Sequence, residues 1–251
     1  MLCVATTRPS FADDFNWKFS TSIDYESGKY GTDTRSDSVY IPFTLKRYLG
    51  DWNASLTVPY LRQSSGGEVT NVGGRSARTG RGPRSAATTT HSGLGDLVVR
   101  GGYDLIKENP QPFDLSLAAK IKLPTADEDK GLGTGKFDEG LGLEFGKRVV
   151  ESWTVLADLY YTFIGDPSGT DLNNQVAGDI GFAYLPGEDL TTTVLFEGSN
   201  ALVPGQPAPL DLRGILDYKL GEHVHVYGGV LAGLSNGSPD YGLSFGGSYR
   251  F

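Results

Sequence analysis

The side chains that could support catalysis or hold a metal are few and widely spaced. Histidine occurs only as His91, His223 and His225, and Cys3 is the only cysteine. A structural zinc site takes four ligands, mostly Cys and His at short spacings, and this set does not provide them. A hydrolytic Ser–His pair would need a serine beside His225, for which Ser244 is the nearest candidate. The sequence therefore predicts no catalytic residue, no metal and no cofactor.

Charged residues recur at polar positions of segments whose alternate positions are apolar. Successive side chains of a strand point to opposite faces, so these charges would share one face of a sheet. Seven of them fall near the middle of their segments: Arg100, Lys120, Glu144, Asp158, Asp179, Glu197 and Arg213. Charges of both signs on neighbouring strands are typical of a polar, wet barrel interior, where they would select among solutes. A salt-bridge network that braces a narrow barrel would give the same pattern.

A second charged group lies in a long segment between about residues 62 and 93. This segment is rich in Gly, Ser and Thr and has no alternating hydrophobic pattern. Its arginines are Arg75, Arg78, Arg81 and Arg84, with Arg62 at its base and a single acid, Glu68. The arginines could bind lipopolysaccharide phosphates, or the segment could fold into the mouth of a channel and attract anions. A mobile, solvated loop is the simpler interpretation.

The elements that would position these charges follow from a period-two pattern. Phe113, Leu115 and Leu117, for example, alternate with Asp114 and Ser116. Twelve such segments run at about residues 15–25, 39–45, 52–60, 97–105, 113–123, 137–145, 153–163, 176–184, 190–196, 210–218, 224–234 and 241–251. About 10 residues is the length that a tilted strand needs to cross a bilayer. An even number of strands is typical of bacterial outer-membrane barrels.

The connections between the segments alternate in length. Those at residues 49–51, 107–111, 147–152, 186–189 and 221–222 are short, whereas the intervening ones are longer. Short periplasmic turns and long extracellular loops are typical of membrane barrels, and a soluble β-sandwich has no reason to keep this parity. Residues 13–251 are therefore predicted to form one all-β domain, a 12-stranded antiparallel transmembrane β-barrel in the outer membrane of a Gram-negative bacterium.

Aromatic residues at the segment ends support this assignment. Trp52, Tyr60, Trp153 and Tyr184 would lie in two girdles at the membrane interfaces. The terminal Phe251 closes an alternating strand and resembles the C-terminal aromatic signal through which such barrels are recognised for assembly. The predicted partners are outer-membrane lipid, lipopolysaccharide and the barrel-assembly machinery, and the predicted oligomeric state is a monomer.

Composition excludes several other classes. Gly accounts for 35 of 251 residues and aromatics for 11%, while the mean hydropathy is only −0.25. A net charge of −8 provides no basic field for nucleic acid. No apolar stretch approaches the ~18 residues of a transmembrane helix. Residues 1–12 are expected to be the tail of a signal peptide, because Ser10-Phe11-Ala12 resembles a cleavage site, or else a disordered tail.

Three short motifs resemble a known family. Residues 92–97 read SGLGDL, residues 120–125 read KIKLPT, and residues 131–135 read GLGTG. This order is similar to the phenol-degradation meta-pathway family of outer-membrane proteins, in which SGLGD precedes a strand that ends in K-x-P-T-G. Ala126 replaces the usual Gly, so this loop is expected to differ in shape. The resemblance is sharpest over residues 92–146 and implies a barrel channel.

The function predicted from these features is passive diffusion of small organic solutes through a narrow polar lumen. A preference for aromatic or hydrophobic compounds is implied by the resemblance alone. The alternatives are a structural or adhesive barrel with a plugged lumen, a barrel-type lipid hydrolase and a soluble β-sandwich. If the N-terminal segment or the long segment at residues 62–93 plugs the lumen, the protein is a structural or adhesive barrel. If neither does, it is a channel.

Overall fold

The computed structural model describes residues 15–80, 88–108 and 111–251, and this part of the chain is built from strands and connecting turns and loops. The strands are β1 (Trp17–Gly28), β2 (Ser36–Leu49), β3 (Trp52–Ser65), β4 (Val69–Val72), β5 (Arg75–Arg78), β6 (Thr89–Leu94), β7 (Leu97–Ile106), β8 (Asp114–Leu123), β9 (Asp138–Val150), β10 (Trp153–Ile164), β11 (Gln175–Tyr184), β12 (Leu190–Ser199), β13 (Leu210–Leu220), β14 (Val224–Gly233) and β15 (Tyr241–Arg250). Among these residues there is no helix that is both long and apolar enough to cross a membrane.

The main sheet closes on itself. Neighbouring strands pair antiparallel in the order β2, β1, β15 and then down to β7, and β3 pairs with both β2 and β7. β6 and β7 both pair with β3, so they are two halves of one wall strand. With β4 and β5 in a separate hairpin, the described part of the chain forms a closed barrel of twelve wall strands, which confirms the predicted fold. Closure matters because the unpaired backbone N–H and C=O groups of an open sheet edge could not form hydrogen bonds with lipid.

One region of the wall is irregular. Pro42 on β2 faces Pro59 on β3, and neither residue has an N–H to donate to the ladder. The adjoining wall strand breaks between β6 and β7, where the Gly95 amide donates to the Pro59 carbonyl at 2.9 Å. A Cβ on Gly95 would lie 3.0 Å from the Pro59 ring, so the close approach favours glycine. The break turns the chain here and brings Asp96 to a position that is only 6% exposed.

The two faces of the wall differ as predicted. Large apolar side chains project outward all around the barrel, including Ile23, Leu117 and Phe245, each more than 40% exposed. Aromatic pairs gather near the strand ends: the rings of Trp52 and Tyr103 lie 4.5 Å apart between centroids. The inner face carries the charged and polar residues. This arrangement fits a wall that is surrounded by lipid and encloses a polar lumen.

The connections keep the predicted parity. Short turns join the strands at one end, here called the turn end, and longer loops join them at the other, the loop end. The first wall strand begins and the last one ends at the turn end, where Trp17 and Phe251 exchange two backbone hydrogen bonds of 2.9 and 3.0 Å. β9 continues to Val150, so the connection predicted over residues 147–152 is wrong in extent and contains only two residues.

The long segment is also shorter than predicted. β3 extends to Ser65 and the next wall strand begins at Thr89, so the prediction of one loop over residues 62–93 is wrong at both ends. Between them, β4 and β5 form a hairpin that pairs from Val69 and Arg78 to Val72 and Arg75. Residues 1–12, Arg81 and Arg84 lie outside the described residues.

Candidate functional site

Five acidic residues form a continuous row on the lumen face of five consecutive strands. Glu144 pairs with Asp158, Asp158 with Asp179, Asp179 with Glu197, and Glu197 with Asp211. Directly opposite residues on neighbouring strands have Cβ atoms only about 5 Å apart. Because the strands of a barrel tilt, the row climbs from the middle of β9 to the loop end of β13. Asp211 was not predicted as a site residue, since it lies at the start of its segment.

Two arginines neutralise the upper end of this row. Arg213 donates from Nε to Oε1 of Glu197 at 2.8 Å. Arg75, which comes from the β4–β5 hairpin, places Nη2 2.7 Å from Oδ2 of Asp211 and 3.3 Å from Oε2 of Glu197. The Glu197 side chain is fully buried. A buried carboxylate is tolerated only when it is paired and hydrogen-bonded, which this arrangement provides.

A second cluster occupies the middle of the lumen wall. The guanidinium of Arg100 contacts both the carboxylate of Glu144 and the hydroxyl of Tyr160, and this hydroxyl also donates to Glu144. Nζ of Lys120 lies 5.8 Å from the centroid of the Tyr160 ring, at a distance that permits a cation–π contact. A Cβ on Gly142 would overlap this ring, so glycine is required beneath it. Tyr160 was not predicted as a site residue.

Asp158 and Asp179 differ from the rest of the row. They are 6% and 9% exposed, and neither forms an ion pair within the described residues. Oδ1 of Asp158 and Oδ2 of Asp179 are buried and have no hydrogen-bond partner in the described part of the chain. Two carboxylates that face each other across a strand pair repel when both are ionised.

The hairpin lies inside the barrel rather than in solvent. Val69 and Thr70 are each 2% exposed, and Thr79 is fully buried. Ser76 donates to Oγ of Ser38 on β2 at 2.9 Å, while Arg75 reaches β12 and β13 on another part of the wall. The prediction of a mobile, solvated loop is therefore wrong for residues 66–80, and the inward-folded alternative describes them.

The carboxylates around Arg75 keep its guanidinium charged despite its burial. Burial by itself lowers the pKa of Arg75, but the carboxylates around it, Glu197 foremost, more than offset this and raise the pKa. Arg78 has a different environment and donates to the carbonyl of Gly31 at 2.8 Å and to the side chain of Gln206. Arg75 is thus a lumen residue, whereas Arg78 connects the hairpin to the loops at the loop end.

The loop at residues 124–137 also turns inward. Ala126 and Leu132 pack against Tyr40 and Leu61 on the lumen face of β2 and β3. The family motifs meet here, because Thr125 donates to the carbonyl of Gly95 at 3.1 Å and accepts from the amide of Leu97 at 2.9 Å. The side chain at position 126, where the family usually has Gly, fills the interior of this loop.

A buried lysine connects the same two motifs. Lys122 is 3% exposed and lies 2.8 Å from Oδ2 of Asp138 and 3.3 Å from Oδ2 of Asp96. It also donates to the hydroxyl of Thr134 at 2.6 Å. Sequence reasoning selected the neighbouring inward residue Lys120 and missed this cluster, although Lys122 occupies the same polar face of the strand.

The candidate hydrolytic pair does not form. Across β14 and β15, His225 faces Ser248, and Ser244 faces Gly229. Four residues along a strand correspond to about 13 Å, so Ser244 is too far to hydrogen-bond with His225. Nδ1 of His225 lies 2.8 Å from Asp217 instead. Within the described residues, no three His, Cys, Asp or Glu side chains are arranged to hold a metal ion.

Comparison with known proteins supports the fold. A family described as "Putative MetA-pathway of phenol degradation" matches residues 25–251. No curated protein matches the chain. The crystal structure of an outer membrane channel from Pseudomonas putida F1 is 15% identical, with 94% of this chain and 96% of that chain covered and a TM-score of 0.68.

Two further structures share the architecture. The NanC porin is 13% identical, with 93% of this chain and all of that chain covered and a TM-score of 0.59. The toluene transporter TodX of P. putida is 12% identical, with 96% and 91% covered and a TM-score of 0.55. At these identities the likeness establishes the fold, which is that of a bacterial outer-membrane barrel.

Proposed function

Because the chain belongs to the family described as "Putative MetA-pathway of phenol degradation", we propose that it is an outer-membrane channel for passive diffusion of small organic solutes. The observation that carries this proposal is the acidic row, which places five carboxylates along the inside of a closed wall. A barrel with only a scaffold role could fill its interior with apolar packing. A row of charged side chains that runs toward the loop end instead provides polar groups that replace part of the hydration shell of a solute as it enters the lumen.

The selectivity of this channel is proposed to depend on the row and its basic partners. Arg100 and Arg213 on the wall, with Arg75 on the hairpin, form ion pairs with carboxylates of the row. Lys120 adds a further positive charge on the same face, beside the Tyr160 ring. Charges of both signs across a narrow lumen create a transverse field that orients dipolar solutes. The hairpin limits the size of what can pass. An aromatic or hydrophobic cargo remains a proposal that rests on the family description.

A plugged barrel with a structural or adhesive role is the second candidate, and the inward hairpin is the observation that favours it. Single-channel recording in planar bilayers tests the two. Wild-type protein that conducts ions supports the channel. A wild type that is silent, together with a conducting variant that lacks residues 69–88, would establish the plugged barrel and refute an open channel.

Three properties of the assembled protein are also proposed. The barrel is a monomer, Phe251 is the residue through which the assembly machinery recognises the chain, and the loop end contacts lipopolysaccharide. Phe251 suits its role because its side chain is 51% exposed at the turn end of the wall. Replacing Phe251 with Ala should lower the amount of folded barrel in the outer membrane while leaving refolding in detergent unaffected.

A further inference from the structure

We propose that Asp158 and Asp179, together with the leucines beneath them, form a binding site for organic ammonium ions, meaning amines that carry a small apolar or aromatic body. The inference rests on the proposed channel function and names the class of solute that its lumen recognises. It deepens the family-based preference for aromatic compounds by requiring a positive charge on the solute.

Within the described residues, Asp158 and Asp179 lack the basic partner that the rest of the row has. The other members of the acidic row have basic partners: Arg100 contacts Glu144, Arg213 contacts Glu197, and Arg75 contacts both Glu197 and Asp211. Asp158 and Asp179 face each other in register in the middle of the same row. Like charges directly opposite on a strand pair destabilise a sheet. A cation supplied by a solute would relieve this repulsion where the protein supplies none at ion-pair distance.

In the described part of the chain, the hydrogen bonds of these two aspartates are incomplete as well. Both aspartates are more than nine-tenths buried, and one carboxylate oxygen of each has no partner within the described residues. Buried polar atoms are nearly always satisfied, so such a pair of acceptors indicates a donor from outside. An ammonium group has three N–H donors and no acceptor, so it could satisfy both carboxylates at once.

Apolar side chains beneath the two aspartates indicate what the rest of the ligand is. Leu156 lies two residues before Asp158 on β10, and Leu195 lies two residues before Glu197 on β12, so both leucines share the lumen face with the acids. Their registers meet at Gly181 of the intervening strand, and they pack with Ala183 in one apolar cluster. The wall therefore presents a carboxylate row directly above an aliphatic row. A charged amine attached to an apolar body matches both rows, whereas an inorganic cation uses only the first.

Benzylammonium is a suitable probe, with benzyl alcohol and benzoate as neutral and anionic analogues of similar shape. Binding to the full-length chain in detergent would be measured by calorimetry, independently of conduction. We expect saturable binding of benzylammonium but not of benzyl alcohol or benzoate, and the binding should be at least tenfold weaker in the Asp158→Asn/Asp179→Asn variant. Asp217→Asn is the matched control, because this lumen acid already contacts His225 at 2.8 Å, and it should leave the affinity unchanged. Leu156→Thr should weaken binding of benzylammonium but not of methylammonium.

Absent binding, or equal binding to wild type and the double Asn variant, overturns the site, as would be found if the two carboxyls simply share a proton. Equal competition by benzylammonium and potassium shows a general cation site and overturns the assignment of an organic body. Channel recordings on the same samples judge the proposed function separately, since a silent barrel that binds benzylammonium would refute diffusion while keeping the site.

Discussion

The guanidinium of Arg75 lies 2.7 Å from the carboxylate of Asp211, a residue 136 positions later in the chain. The contact joins an inserted hairpin to the barrel wall at the upper end of the acidic row. Asp211 is only 1% exposed, so it would be an unpaired buried charge without this partner. The β4–β5 hairpin is therefore held inside the lumen by ionic contacts with the wall.

Removing this contact should open the lumen. In Arg75→Gln, the hairpin loses its ion pairs with Asp211 and Glu197, and a positive charge leaves the acidic row. We expect a larger single-channel conductance and a reversal potential that shifts toward cations in a salt gradient. Replacing residues 69–88 with a short Gly-Ser linker should produce the same changes to a greater extent.

The matched control for this experiment is Arg35→Gln. Arg35 forms an ion pair with Asp240 at 2.6 Å, but both side chains are about half exposed in the loops. Arg35→Gln therefore removes one positive charge near the mouth of the barrel and leaves the contacts of the hairpin intact. Equal shifts in Arg35→Gln and Arg75→Gln would show that only the net charge at the mouth matters and that the hairpin does not narrow the lumen.

Because Leu117 and Lys120 lie on opposite faces of the wall, substitutions at the two positions should affect folding to different extents. Leu117 points outward with 42% of its surface exposed, whereas Lys120 lies on the lumen face near Tyr160. A charge on the lipid face near mid-membrane costs about 2–4 kcal/mol. Leu117→Arg should lower the yield of folded barrel much more than Lys120→Gln, as measured by the fraction that migrates fast on unboiled gels. Comparable yields would mean that the strand registers are wrong.

Closure of the sheet has its own test. Every wall strand of the described barrel has two neighbours, except that the β6 half of one strand pairs with β3 alone. Unfolding must therefore break ladders on both sides of nearly every strand. Protein that has not been boiled should stay folded in SDS and migrate faster than boiled protein. Identical migration, combined with solubility in detergent-free buffer, would contradict a membrane barrel.

The fold was accessible from sequence because it depends on repeated local signals. The alternation in segments such as 113–123 and the parity of connection lengths each predict a wall of twelve strands. The hairpin gave no such signal, because its strands have four residues each and bury the polar Thr70, Asn71 and Ser76 as well as the apolar Val69. Period-two patterns therefore detect lipid-facing strands and overlook short strands inside a polar lumen.

The candidate site was predicted only in part, for a geometric reason. Alternation correctly placed Asp158, Asp179 and Glu197 on the inner face, and the structure aligns them on neighbouring strands. Which inner residues become neighbours depends on the register of each strand pair, and no local pattern specifies that register. Asp211 was missed for this reason, since tilt brings the end of one strand beside the middle of another.

The buried Lys122 cluster joins the three family motifs through one ammonium group, which contacts Asp96 and Thr134. Lys122→Met leaves Asp96 and Asp138 buried without their cation, and breaking a buried ion pair in this way costs about 3–5 kcal/mol. The temperature at which the barrel unfolds in SDS should fall clearly. Lys130→Met is the control: its ion pair with Asp127 at 2.8 Å is exposed to solvent and should matter little. Equal unfolding temperatures for the two variants would show that the Lys122 cluster does not hold the β6–β7 break and the 124–137 loop together.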